Sequence, residues 1–131
     1  MTIAVQEAFV ANTLAISGLS DIADISLYPL QIPGGAALPA IQYIFTDGYP
    51  EAFYRGSFGL TTYQVQLSIY SNTYRQNQQI TDLIVNHFNG FAGALNSSVT
   101  AQRVILDNVL TAVDTTNGTV YRSIIELTLT I

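Results

Sequence analysis

Cysteine is absent from the 131 residues, which rules out disulfides, thiolate nucleophiles and sulfur-ligated metals. Lysine is absent too. The four cations are Arg55, Arg75, Arg103 and Arg122, set against nine carboxylates for a net charge of −5. So few cations make a poor nucleic-acid binder, because such proteins gather positive charge to release counterions from phosphates. Histidine occurs once, at position 87. No basic residue precedes the apolar residues at the N-terminus, and no apolar run reaches the roughly twenty residues that cross a bilayer, so neither a leader nor a membrane partner is expected. Charge of either sign is scarce. Only 10% of residues are charged, against roughly a quarter in an average soluble domain. Apolar residues make up 49%. A small domain normally covers its surface with charge. This one must use Thr, Ser, Asn and Gln, or cover itself with further copies, since charge is depleted in interface cores.

What is present is patterned. The length argues for one domain. The stretch from Gly59 to Phe91 carries two periods in succession. Tyr63, Val65, Leu67 and Ile69 alternate with Thr62, Gln64, Gln66 and Ser68, a half-buried strand with one polar face. After Ser71, Ile80, Leu83, Ile84, His87, Phe88 and Phe91 follow a helical stripe. Thr73 and Gln76 fit a capping box at its start, and Gly90 suits a left-handed residue just past its end. Upstream, residues 3–17 read as a helix ended by Gly18, with Val5, Ala8, Phe9, Ala11, Leu14 and Ile16 apolar. Ser20 to Asp24 reads as a single turn and Ile25 to Tyr28 as a short extended piece. Residues 29–40, with three prolines and Gly34-Gly35, read as an irregular loop. Ala40 to Thr46 is a strand. A long hairpin-like loop follows, from Asp47-Gly48 through the Glu51 to Phe58 arm. Downstream, Gly93 to Thr100 is a small-residue loop and Arg103 to Leu110 a strand with Val104, Leu106 and Val109 on one side. Asn117-Gly118 marks a hairpin tip, and Tyr121 to Ile131 is a last strand with Ser123, Ile125, Leu127, Leu129 and Ile131 facing the core. This predicts an α+β fold, a mostly antiparallel sheet of about four strands with two helices packed on it.

A search for chemistry returns little. His87 lies on an apolar helix stripe with no carboxylate three or four residues away, so the helical metal motif is missing. Asp21 and Asp24 fall far short of the six or more oxygens calcium takes. Gly34-Gly35 follows a proline and has no Lys-Ser/Thr after it, unlike a phosphate cradle. Asp47 and Glu51 read as a solvated loop, with Arg55 as a partner, rather than as paired catalytic carboxylates. The sequons at Asn96 and Asn117 read as turn chemistry. No cofactor, metal or catalytic residue is expected, and the chain is not expected to be an enzyme.

In this order and spacing the chain resembles the tail-completion, or tail-terminator, proteins of long-tailed phages and related gene-transfer particles. The resemblance rests on Leu27-Tyr28-Pro29, then Pro33-Gly34-Gly35-Ala36 and Leu38-Pro39 before an aromatic strand at Ile41-Gln42-Tyr43. It continues through Gly59-Leu60 into Val65-Gln66-Leu67-Ser68-Ile69-Tyr70, the helix ending at Gly90-Phe91, and Asp114 to Gly118 before Tyr121-Arg122-Ser123. The aromatic-rich segment from Glu51 to Gly59 and the absence of lysine depart from the pattern. The resemblance implies a virion protein of the tail-neck region, a ring-former, typically hexameric. Such a ring caps the tail tube, stops its growth and offers a surface to the head connector, with DNA only passing through. The alternatives are another neck or tail component (a head-closure or tube-related subunit) and a small-molecule-binding module. On exposure and turn composition, partner contacts are expected at Asp47, Gly48, Glu51 and Arg55 and at Asn117 and Gly118. Thr62, Gln64, Gln66 and Ser68 are expected to form a lumen wall or a seam, with the lumen preferred because a seam core is more apolar.

Overall fold

The computed structural model describes residues 2–16, 18–22, 25–30, 32, 38–46, 49–53, 56–97, 99–114 and 120–131. Three helices appear, α1 (Thr2–Leu14), the one-turn α2 (Leu19–Ile22) and α3 (Tyr74–Phe88). Eight strands accompany them: β1 (Ser26–Pro29), β2 (Ala40–Phe45), β3 (Tyr49–Phe53), β4 (Gly56–Ser71), β5 (Gly93–Ala94), β6 (Thr100–Ala101), β7 (Arg103–Asp114) and β8 (Val120–Thr130). Five strands lie side by side in the order β1-β2-β4-β8-β7, and β3 pairs with the far end of β4, making six in one sheet. All neighbours are antiparallel except β1 and β2, which are parallel.

The α+β class holds, but about four strands was too few. The extended piece at 25–28 joins the sheet as its edge. The segment read as an irregular hairpin loop contains β3, paired from Tyr49↔Thr62 to Phe53↔Gly56 with an irregularity after Pro50. Proline and nearby glycines hid a strand that sequence patterning alone demotes. Part of the small-residue loop closes as the two-residue pair β5–β6.

One face of the sheet carries the core. Ile41, Val65, Leu67, Ile69, Ile125, Leu127, Leu129 and Val104 are buried there, beneath α1 and α3. The alternation of β4 and β8 places these residues on one side, as period two requires. α3 buries Asn77, Ile80, Thr81, Ile84 and Phe88, and each large apolar side chain hidden this way contributes about 1.5–3 kcal/mol. Its cap forms as the sequence predicts: Thr73 Oγ1 accepts from the Gln76 amide at 3.3 Å. Gly90 takes φ 76 just past the helix end, where a side chain would be strained. α1 joins the core through Phe9, which stacks on Phe88 at 4.9 Å and meets Phe45 of β2 edge-on at 5.5 Å. α1 therefore sits over the β2 side of the sheet, while α3 runs over β4, β8 and β7.

Candidate assembly surface

The second face of the sheet has no helix on it, and register fixes its rows. Gln64 stands opposite Thr128, which stands opposite Ile105. The next row is Ile44, Gln66, Glu126 and Asn108, then Gln42, Ser68, Ile124 and Leu110, then Ala40, Tyr70, Arg122 and Ala112. A bulge between Leu106 and Asn108 inserts Asp107, whose carboxylate accepts from Thr128 Oγ1. The bulge also resets the period of β7. That is how Val109 regains the side of Val104 and Leu106, three residues on rather than two.

This face was expected to be polar along Thr62, Gln64, Gln66 and Ser68, as a lumen wall or a seam against a neighbour. Of its four central residues, Gln64 is exposed and Gln66 half-buried, but Thr62 and Ser68 are 3% and 1% exposed. Ser68 is covered by Arg122, whose Nη2 donates to its Oγ at 3.3 Å. The Arg122 guanidinium also lies 5.5 Å from the centre of the Tyr70 ring, an attraction of about 0.5–1 kcal/mol at such a site. Its Nε is buried without a partner among the described residues. A shallow cleft of about 250 Å³ opens between Ile44, Thr46, Gln64, Gln66, Asp107 and Glu126. Among the described side chains, the rows and their continuation to Arg103 hold two carboxylates and two guanidiniums. The acid surplus of the chain is not concentrated there.

The loop candidates divide between two ends. Thr46 and Tyr49, which flank Asp47 and Gly48, lie beside Gln64 and Thr62, and Glu51 has its backbone in β3. The β3–β4 ribbon then runs beyond Thr130, the last residue of β8 in the ladder. Asn117 and Gly118 belong to the link from Asp114 to Val120, at the opposite end of the strands near Ser71. Thr62 and Ser71 are roughly 30 Å apart along the strand. Asp47, Gly48, Arg55, Asn117 and Gly118 themselves lie outside the described residues, as do Asp24 and Gly34-Gly35.

His87 is far from this face. Its Nε2 lies 2.7 Å from Asn12 Oδ1, and the ring packs against Phe88 and Phe91. Asn12 in turn donates to the Leu95 carbonyl, so the histidine ties α3 to α1. Burial holds its pKa below the ordinary value. Asn96 makes a turn, its Oδ1 accepting from the Val99 amide at 2.8 Å. Among the described residues no group of three or more acidic or imidazole side chains could hold a metal, and no helix is long and apolar enough to cross a membrane.

Asn77, unmarked by sequence reasoning, locks α3 to the sheet. This asparagine is fully buried, donates to the carbonyls of Ile69 and Tyr121, and accepts from Ser123 Oγ. Its signal was a polar residue at the start of an apolar stripe, paired with a serine on the core face of β8.

No known family model matches the chain, and no curated protein matches it in sequence. Among solved structures, it is similar to a chain of the virion of a native gene transfer agent (GTA) particle. The TM-score is 0.67 and the identity 9%, over 96% of this chain and 93% of that one. The likeness is one of fold. The α+β architecture is thus one used, almost end to end, by a component of a virus-like particle.

Proposed function

We propose that this chain is a structural virion protein, a ring-forming tail terminator that caps the tail tube, stops its polymerisation and presents a surface for head-to-tail joining. The observation that carries this reading is the near-complete fold likeness to a chain of a gene transfer agent virion. The sequence resemblance supports the finer role. The geometry suits a passive wall. The sixteen-residue β4 spans roughly 50 Å. Thr46 and Tyr49 lie beside Gln64 and Thr62 partway along it, and Asp114 and Val120 pair near its Ser71 end, a separation that would let one ring face meet the tube and the other the connector. In this reading the chain is not an enzyme and needs no cofactor. It assembles in the host cytoplasm into a ring, of six copies on the resemblance alone, and stays in the tail-neck region of the virion. DNA passes through without a specific site.

Deleting the gene tests the assignment. Loss of a terminator gives overlong tails. Normal tails left unattached to filled heads would instead place the chain among head-closure proteins, the nearest alternative. For the ring itself, light scattering is expected to give six times the monomer mass. The contact loops are tested by Arg55→Ala and Asn117→Ala. If both leave tail length and head joining unchanged, the loops are not the contacts. The small-molecule alternative is tested by a thermal-shift ligand screen: a stabilising ligand with no ring formation would favour it.

A further inference from the structure

Burial fixes the register of a strand when one of its faces is hidden, and fixes it weakly when neither is. β7, the last strand of the sheet order, passes from the first case to the second at its bulge. Before the bulge, Val104 is fully buried opposite Leu129, and Leu106 is half-buried opposite Leu127. After it, no residue from Asn108 to Val113 is buried. Val109, Leu110 and Val113 are 40%, 53% and 54% exposed. Val109, Thr111 and Val113 share the helix side of the strand, and Asn108, Leu110 and Ala112 the open side. Each set mixes apolar and polar residues and neither is hidden, so burial discriminates weakly between them.

Polar contacts make the choice instead. Gln78 Nε2 on α3 donates to Thr111 Oγ1 at 3.1 Å, Thr111 Oγ1 lies 3.2 Å from Ser123 Oγ, and Ser123 Oγ donates to Asn77 Oδ1. A hydroxyl has one proton to give. With Ser123 spending its own on Asn77, the middle bond runs from Thr111 to Ser123. The chain leads from half-buried Gln78 to fully buried Asn77 and pins Thr111 opposite Ser123. On the other side of this stretch, the Asp107 carboxylate accepts from Thr128 Oγ1 and so holds the extra residue of the bulge.

The competing arrangement is a ladder without the bulge. Continued in the register of Leu106 and Leu127, β7 would set Asp107 opposite Glu126, Asn108 opposite Ile125, Val109 opposite Ile124 and Leu110 opposite Ser123. Every residue from Asn108 onward would change face. That ladder recovers the pairing that a bulge disrupts, and it trades Val109 and Val113 on the helix side for Leu110 and Ala112. Against it stand two carboxylates set side by side, Asn108 turned toward the core, and the broken Thr111–Ser123 bond.

We infer that residues 108–113 form a two-register edge. The Gln78–Thr111–Ser123–Asn77 chain, with the bulge, selects the observed register, and a slip by one residue exchanges the two faces that the edge presents. This conformational device is independent of the ring reading, because it decides which side chains the edge shows, whatever stands beside it.

The chain has no cysteine, so introduced disulfides can read the register. Register partners lie roughly 4.5–5.5 Å apart between Cα atoms, within reach of a disulfide, whereas side chains on opposite faces cannot bridge. Leu110→Cys with Ile124→Cys reports the observed register, and Val109→Cys with Ile124→Cys the slipped one. In the full chain under a glutathione buffer, the first pair should close quickly and the second slowly. Thr111→Val should speed the second pair at least about fivefold, the shift that one net hydrogen bond gives a two-state ratio. Thr111→Ser, which keeps the hydroxyl, should not. Deleting Asp107 leaves Leu110 opposite Ile124 in an unbroken ladder, so in the Thr111→Val chain it should return the second pair to its slow rate. Val109→Cys with Glu126→Cys, two residues off the slipped partner, should stay slow throughout; this control needs no deletion. Circular dichroism and the rate of the first pair show that each variant is folded. An unchanged second pair in Thr111→Val overturns the inference, as does a second pair as fast as the first in the presence of Thr111. If Val109→Cys with Glu126→Cys accelerates equally in Thr111→Val, the strand frays rather than slips, and the inference is wrong.

Discussion

Replacing Asn77 by alanine removes one side chain that fastens α3 to both central strands. Its Nδ2 donates to the Ile69 carbonyl on β4 at 2.9 Å and to the Tyr121 carbonyl on β8 at 3.1 Å, and its Oδ1 accepts from Ser123 Oγ. The side chain is 0% exposed, as is Ser123, so water cannot enter to replace these bonds without opening the helix. A lost hydrogen bond costs about 1 kcal/mol net, and a buried group left unpaired about 1–3 kcal/mol. Three bonds end on Asn77, and the carbonyls can keep ladder partners, so the expected loss is about 3–4 kcal/mol. For a chain of this length, each kcal/mol moves Tm by roughly 3–5 °C, giving a drop of about 10–20 °C. Urea unfolding followed by circular dichroism should show the midpoint falling with the slope unchanged. Ser123→Ala removes one of the same bonds and should cost about 1 kcal/mol. The double variant should cost less than the sum, since the two share a partner. A loss below about 1 kcal/mol for Asn77→Ala would refute the reasoning, for it would mean that the buried amide holds nothing the sheet does not already satisfy.

Phe9→Ala should destabilise the fold by about 3–5 kcal/mol, because Phe9 alone joins α1 to both Phe88 and Phe45; a denaturation midpoint close to wild type would show α1 to be loosely docked. His87 gives a pH dependence with a definite sign. Its pKa is lowered by burial from 6.5, so the unfolded chain takes up the proton first. Its contribution to stability is complete above 6.5, declines as pH falls through that value, and stops declining below the lower folded pKa. Thermal melts across that window should be flatter for His87→Gln than for wild type. Gln66→Arg adds charge at the centre of the open face and should alter DNA passage, read as particle infectivity or cargo transfer, while leaving oligomer mass unchanged. If it breaks the oligomer, that face is the seam.

Periodicity made the central strand, the capped helix and the core face of β8 legible, because each residue there answers to burial on one side. The β1 edge and β3 were harder. A four-residue strand that gains most of its order from a parallel neighbour leaves little trace of its own, and Pro50 demotes its segment to an edge strand or a loop, with nothing local to decide between them. The open face was legible in position but not in exposure. Alternation says that Ser68 points away from the core. It does not say that Arg122, four residues past the Asn117-Gly118 turn signal, folds across Tyr70 to cover it. The lateral patches were hidden for a related reason. Val109, Leu110 and Val113 look like ordinary core residues until β7 is known to be the edge, and the apolar girth of α1 looks like burial until half of it is found outside.

In the proposed ring a subunit would divide its surface among three tasks, and the fold offers three directions for them. Across the strand order, Val109, Leu110 and Val113 on the β7 edge and Leu30 beside β1 leave apolar side chains exposed. Along the strands, the β3–β4 ribbon leaves the ladder past Thr62, and β7 and β8 meet at Asp114 and Val120 near Ser71, roughly 30 Å away; in the proposed ring these two ends would face the tube and the connector. Normal to the sheet, the helices close one face, and the rows of Gln64, Gln66 and Thr128 leave the other polar and uncovered. If neighbours meet at the lateral ends, the open face is freed from making the seam. A face of amides and hydroxyls interspersed with Ile44, Ile105, Ile124 and Leu110, its two carboxylates offset by two guanidiniums, would then offer passing DNA neither a binding patch nor a strong repulsion. The low charge content that first set this sequence apart would serve both surfaces: apolar where subunits join, polar but weakly charged where the duplex slides.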